Sequence, residues 1–371
     1  MLRYTKQVKS VVQNVAFVEG TTLQPISIPT DLPISRILVT LQGTPVGVSS
    51  TPGTLQAPFG IPALAQALGL FTIASSPRDG SDGISVKQLP ATMCFFDGWM
   101  MSQQKPSFTD LTAATPATFC KVTVPINFMD TRLPKAQQHL TALEAMRYGG
   151  QNTLNLSIFT GNLYAAVAVP DRTAIVAGTH STPIAPGTLT VSVSVEQLVP
   201  IGFVWPAFDG PNALPFLDRD FEYTPSSGLN NSQSNNIQLN RRGIQANTFF
   251  LVAGQATTTL LETGINNLGS TPVPQLVEKL GAQDKNRIDP LTMQSLSLEH
   301  FLAGATWPDG VYGMDDFGSN LNTSYSLTNV QGVHQWDTNL GVNGAYAQQI
   351  LRMLHITYNA SARAKALQPS I

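Results

Sequence analysis

The densest group of potential metal ligands is "WPDGVYGMDDFG", residues 307–318, where Asp309, Asp315 and Asp316 crowd one glycine-broken stretch. It contains Asp316-Phe317-Gly318, the tripeptide whose aspartate holds Mg²⁺ in protein kinases. Phosphoryl transfer also needs a glycine-rich loop over the phosphates, a strand lysine, and a catalytic-loop base with its asparagine. The chain has no G-x-G-x-x-G, no H-R-D and no G-x-x-x-x-G-K-[ST]. Two readings stay open: a tight acid-rich turn, or a divalent ion held at a subunit contact by Asp309, Asp315, Asp316 and Asp337, because Ca²⁺ accepts irregular oxygen cages.

A second acidic stretch, "FLDRDFEYT", sets Phe216, Asp218, Asp220 and Glu222 against Leu217, Arg219, Phe221 and Tyr223. Carboxylates two residues apart could serve a glycosidase or bind Ca²⁺. Glycosidase carboxylates normally face each other across a cleft from separate strands, so the stripe reads better as the wet face of one strand, or as a partner for Arg241-Arg242. The five histidines, His139, His180, His300, His334 and His355, have no metal-ligand spacing. No G-x-S-x-G elbow is present. Cys94 and Cys120 lack the C-x-x-C spacing of zinc and redox sites and read as buried thiols, with pairing left open. The expectation is no catalytic residue, no cofactor, no metal site and no enzyme.

Composition points the same way. Charged residues make up 12% of the 371, about half the ordinary share, and Thr, Ser, Asn, Gln, 29 Gly and 26 Pro fill the gap. A weakly charged polar surface suits flanks that neighbours cover, since a desolvated charge is costly unless paired. The net charge of −2 supplies no field for nucleic acid, so no direct nucleic-acid binding is expected. No apolar run approaches the ~18 residues that span a bilayer. Gln13 and Asn14 interrupt the apolar residues near the start, which argues against a signal peptide. "MLRYTKQVKSVVQNV" brings Tyr4, Val8, Val11 and Val15 near one helical face, with Arg3, Lys6 and Lys9 mostly elsewhere. It is either a basic segment lying on an anionic membrane surface through Arg3, Lys6 and Lys9, or a frayed end or first strand.

The elements that carry these residues are mostly strands. "TLTVSVSVE" alternates Leu189, Val191, Val193 and Val195 with Thr190, Ser192, Ser194 and Glu196, the period-two mark of a strand buried on one face. "CKVTVPINF", "TLNLSI" and "ILRMLHITY" repeat it, the last placing Ile350, Leu354, Ile356 and Tyr358 together with Arg352 as an interruption. Helices are expected only in short excursions, over "KAQQHLTALEAMRY" and "PLTMQSLSLEHFLAG". The Asn/Ser/Gln-rich stretch 226–243 cannot pack a core and reads as a surface loop or a subunit-interlocking arm. Trp99, Trp205, Trp307 and Trp336 sit beside Pro, Gly or Asp, in what read as loops or strand ends.

A common shift suggests that the pattern occurs twice. It carries Ile37 onto Phe249 in matching strands, then Pro62, Leu64, Leu68 and Gly69 onto Pro274, Leu276, Leu280 and Gly281 in what read as matching helices. The expected fold is all-β: two tandem eight-stranded jelly rolls with short helical insertions and long loops. The expected divisions are an N-terminal basic segment 1–16, a first jelly roll 17–200, a linker 201–215, a second jelly roll 216–360 and a tail 361–371.

With these features the chain resembles the double jelly-roll major capsid proteins of tailless, internal-membrane-containing icosahedral viruses, a lineage that includes tectivirus-like phages and adenovirus. The most specific stretch is a short helix around Leu296–Leu302, then Trp307–Tyr312, an acidic turn, "SYSL" and the last strand. The resemblance implies a homotrimeric pseudo-hexagonal capsomer, built into a virion shell after assembly in the host cytoplasm. It implies as partners the chain itself, penton and minor capsid or membrane proteins, and the viral membrane. A minor capsid or vertex protein, and a β-sandwich carbohydrate-binding or carbohydrate-active protein, are the alternatives.

Overall fold

A computed structural model describes residues 3–45, 60–75, 87–102, 104–110, 118–148, 154–161, 184–206, 214, 216–229, 235–239, 244–255, 262–264, 274–300, 310–315, 333–341 and 348–360. The first 200 residues form two facing antiparallel sheets. One runs β1 (Tyr4–Ala16), β8 (Leu189–Pro200), β3 (Ile34–Gly43), β6 (Cys120–Asn127). The other runs β2 (Ile26–Ile28), β7 (Leu154–Phe159), β4 (Leu70–Ser75), β5 (Lys87–Pro90). Alternation decides which side chains meet between them: Ile37, Val39, Leu41, Val122, Val124, Val191, Val193 and Val195 face Phe71, Ile73, Leu154, Leu156 and Ile158, all buried. Pro125 fits within β6 because β6 is an edge strand of its sheet.

The second half repeats this order. β9 (Leu217–Leu229), β17 (Gln348–Ala360), β11 (Ile244–Gln255) and β15 (Val311–Asp315) form one sheet, with β12 (Glu262–Gly264) as an added partner of β11. β10 (Asn235–Leu239), β16 (His334–Asn339), β13 (Gln275–Leu280) and β14 (Gln283–Ile288) form the other. Setting β12 aside, each half pairs its strands first-eighth-third-sixth and second-seventh-fourth-fifth, so the fold is two jelly rolls in tandem. Each half also places a helix between its fifth and sixth strands: α2 (Ala91–Ser102) in the first, α3 (Pro290–His300) in the second. A five-residue helix, α1 (Ala63–Ala67), precedes β4.

Several expectations are corrected. "VPQLVEKLG" is strand β13, not a helix; Gly281, at φ 61°, opens a two-residue turn that pairs Leu280 with Gln283, so the glycine read as a helix stop is a hairpin residue. The common shift is also out of phase. Ile37 faces its own barrel's core, whereas Phe249 and Leu251 face away from theirs and Phe250 and Val252 point inward. A one-residue slip exchanges the faces of a strand, and this shift contains one. Residues 138–148 form two 3-10 turns, Gln138–Thr141 and Ala145–Tyr148, because Leu143 between them pairs with Ile34 through two 2.9 Å backbone hydrogen bonds. Of the readings offered for the N-terminal segment, the first strand holds: it is β1, hydrogen-bonded to β8. Within 226–243, 226–229 close β9 and Asn235–Leu239 form β10, where Ile237 and Leu239 enter the second core despite their asparagine-rich surroundings. Trp99 lies inside α2 and Trp336 in the middle of β16, both buried. Asp309, Asp316-Phe317-Gly318, Trp307, His180 and "SYSL" lie outside the described residues.

Candidate functional site: the seam between the barrels

β17 is buried on both faces. Leu351 and Met353 enter the second barrel's core, with Phe250, Trp336 and Tyr312. Leu354, Ile356 and Tyr358 face the other way, with Phe221 on β9, Phe249 and Leu251 on β11 and Val311 on β15, and join the first barrel's apolar cluster. The outer face of one second-barrel sheet is thus a dry contact with the first barrel.

Helix α2 is the first barrel's side of this contact. Its sequence, "ATMCFFDGWMMS", is apolar on every side, with Thr92, Asp97 and the terminal Ser102 as its polar residues, and Ala91–Met101 are all buried, as a helix with no wet face must be. Phe96 meets Phe249 edge-on, ring centroids 5.2 Å apart. Gly98 lets the helix lie against β6: a Cβ there would sit 2.4 Å from Pro125 Cγ.

One turn of α2 brings a carboxylate to the seam, and alternation on β9 brings a guanidinium to meet it. Arg219 donates to Asp97 through Nη2 to Oδ1 at 2.6 Å and Nη1 to Oδ2 at 2.8 Å, with both side chains at most 2% exposed. Asn127 Nδ2 donates to Asp97 Oδ2 at 3.2 Å, and the Asn127 carbonyl accepts from Arg219 Nη1 at 3.3 Å. The Arg219 guanidinium lies 4.7 Å from the Phe221 ring centroid. A second crossing runs beside it: Tyr358 Oη on β17 donates to Asp130 Oδ2 at 2.6 Å, and Asp130 also accepts from Arg132 Nε and Nη2 at 3.1 and 2.7 Å. Burial alone would raise the Asp130 carboxyl, but the Arg132 charge and its hydrogen bonds hold it well below the usual carboxylate range. Burial, then the Asp130 charge, pushes the Tyr358 phenol well up. These paired groups are arranged to hold two lobes in one register.

Of the acidic stripe at 216–223, it is therefore Arg219, on the opposite face, that makes the site; strand alternation placed it correctly but gave no sign that this face was the dry one. Asp97, Asn127, Asp130 and Tyr358 went unmarked because the partners that join them across the seam lie 92 to 228 residues away. Asp337 pairs with Lys279. Both cysteines are free and buried. Among the described residues no group of three or more His, Cys, Asp or Glu is placed to hold a metal. His139 lies buried between Tyr4 and Trp205.

His334 and His355 meet inside the second barrel, ring centroids 5.5 Å apart. His334 Nε2 lies 2.8 Å from Glu278 Oε1, and Glu278 also accepts from Asn286 at 2.6 Å and Lys285 at 3.3 Å. Thr248 Oγ1 lies 2.9 Å from His355 Nδ1. Burial, reinforced by His334, lowers His355 to about 3.

Arg3, Lys6 and Lys9 are all exposed at the start of the chain, and the structure groups only Lys6 with a partner, Glu196 at 3.2 Å. Glu196 also takes Arg36 at 2.8 Å and the Ser35 hydroxyl at 2.5 Å. On the outer face of the β3–β6 pair an open groove of about 790 Å³ is lined by Arg36, Leu38, Lys105, Phe108, Lys121 and Pro125 among others.

No family model matches the chain, and no curated protein matches it. Solved structures do match, over almost its whole length. The STIV MCP aligns with TM-score 0.63 at 14% identity, covering 98% of this chain and 100% of that one. A chain of the PBCV-1 virus capsid aligns with TM-score 0.59 at 13% identity, covering 96% and 94%. The major capsid protein P2 from bacteriophage PM2 aligns with TM-score 0.53 at 11% identity, covering 97% and 99%. The chain shares the two-barrel fold of these proteins from end to end.

Proposed function

We propose that this chain is a major capsid protein, a shell subunit that self-assembles as a homotrimer into pseudo-hexagonal capsomers and then into an icosahedral virion. The observation that carries the reading is the seam: a dry sheet face and a buried Asp97–Arg219 pair bind two jelly rolls into one block, in a fold shared over its full length with capsid proteins. Such a block offers area rather than chemistry, and the reading assigns it no catalysis. Its partners are further copies of itself, with penton, minor capsid and membrane proteins at the edges of the lattice, and its place is the virion, after assembly in the host cytoplasm. The exposed Arg3, Lys6 and Lys9 on the N-terminal side belong to this proposal as contacts with a membrane or capsid floor. A carbohydrate-binding reading is disfavoured because Trp99, Trp205 and Trp336 are all buried, leaving no aromatic platform among them.

Electron microscopy of the purified chain tests the proposal. Class averages should show three-fold particles with six lobes; two-lobed single particles at every concentration would refute it.

A further inference from the structure

Two surfaces of this chain are unfinished, and the seam shows what finishes them. Within the chain, the helix between the fifth and sixth strands of the first barrel, α2, lies against the outer face of the second barrel's β9-β17-β11-β15 sheet. The same two features occur once more. The second barrel has the corresponding helix, α3, and the first barrel has the corresponding sheet face, on β1-β8-β3-β6.

Neither is covered. On α3, Met293 points into its own barrel, while Leu291 and Leu296 are 60% and 48% exposed. With Thr292 and Ser295 between them they form one exposed arc of about 140°, at about 100° per residue. On the first barrel, the outer face of β3 and β6 carries the groove whose apolar floor is Leu38, Pro125 and Phe108, rimmed by Arg36, Lys105 and Lys121. Among the described residues, none lining that groove comes from the second barrel. Three cations and no acid line the groove among the described residues, one of them, Arg36, already paired with Glu196.

We infer that α3 of one copy seats in the first-barrel groove of the next copy, repeating between subunits the contact that α2 makes within the chain. This rests on the capsomer reading and adds its subunit contact. The helix and its seat are different surfaces, so the contact is heterologous and repeats head to tail until the ring closes. With two barrels per chain, a ring of three copies gives six barrels joined by six contacts of one kind, three within chains and three between them. The two exposed leucines on this arc are then the centre of an interface rather than a surface defect.

The test is site-directed crosslinking of the full chain with a short bismaleimide, using Ser107→Cys in the groove together with Leu296→Cys on α3. Cys94 and Cys120 are buried and serve as internal controls. The expected result is a denaturing-gel ladder that stops at three chains, with neither single variant giving more than trace product. A light-scattering trimer in which the pair does not crosslink between chains would overturn the α3 contact and leave the capsomer reading standing. A parent chain that stays monomeric would remove the capsomer reading itself. As a second arm, Leu291→Lys and Leu296→Lys, which set a cation against the cationic rim of the groove, should keep the parent circular dichroism while weakening association at least ten-fold. Unchanged association in both would also overturn the contact.

Discussion

Replacing Arg219 by methionine would remove the guanidinium between the barrels and leave the Asp97 carboxyl without its counter-charge in a seam where Phe95, Phe96, Phe249 and Tyr358 are all buried. Asp97 would keep only the Asn127 amide at 3.2 Å. Breaking a fully buried pair costs about 3–5 kcal/mol because the survivor is uncompensated, and the side chains here, at 1% and 2% exposure, leave no solvent to soften it. Asp97→Leu should cost a similar amount. The double variant should cost clearly less than the sum, with a coupling energy of about 2–3 kcal/mol, because no orphaned charge remains. Urea denaturation at fixed protein concentration, followed by tryptophan fluorescence, reads all four proteins, since Trp99 in α2 and Trp336 in the second core report on opposite sides of the seam. Single variants that lose less than about 1 kcal/mol, or strictly additive losses, would refute the argument that the pair holds the barrels together.

Acid should weaken the second barrel. An unfolded imidazole binds its proton near pH 6.5, but the folded His355 does so only at about 3, so the unfolded state takes up more protons as pH falls; stability present above about pH 6.5 is lost progressively toward pH 3, by about 4–5 kcal/mol in all. Urea midpoints at pH 7, 5.5 and 4 should fall in the parent and fall much less in His355→Gln. Gly69→Ala should destabilise by at least about 1–3 kcal/mol in the same assay, since Gly69 sits at φ +65° and a Cβ there would lie 2.1 Å from the Phe159 carbonyl oxygen. Both thiols should resist a chromogenic disulfide reagent in the native protein at pH 8 and react fully in denaturant, because burial, followed by the charge of Asp97, pushes Cys94 well up and burial, followed by that of Asp110, pushes Cys120 up to about 11.

Much of the fold was legible because a one-sided strand writes its burial into every second residue. "TLTVSVSVE" and "CKVTVPINF" became β8 and β6 with the expected faces inward. Legibility failed where both faces are dry or where short-range signs are shared. "ILRMLHITY" has no single buried face because β17 lies between two cores. "VPQLVEKLG" carries a proline and a glycine that serve a helix and a hairpin equally well, and only pairing with β16 decides between them. Asp97, Arg219, Asp130 and Tyr358 form a site only after two barrels have folded and met, so no local pattern could have marked them. Helix α2 went unread because, buried on every side, it lacks the polar stripe by which a helix is recognised.

The mass of the native protein in solution tests the central claim most directly. Multi-angle light scattering at neutral pH should give three times 39.8 kDa over a wide concentration range. A mass of one chain at all concentrations would contradict a self-assembling shell subunit.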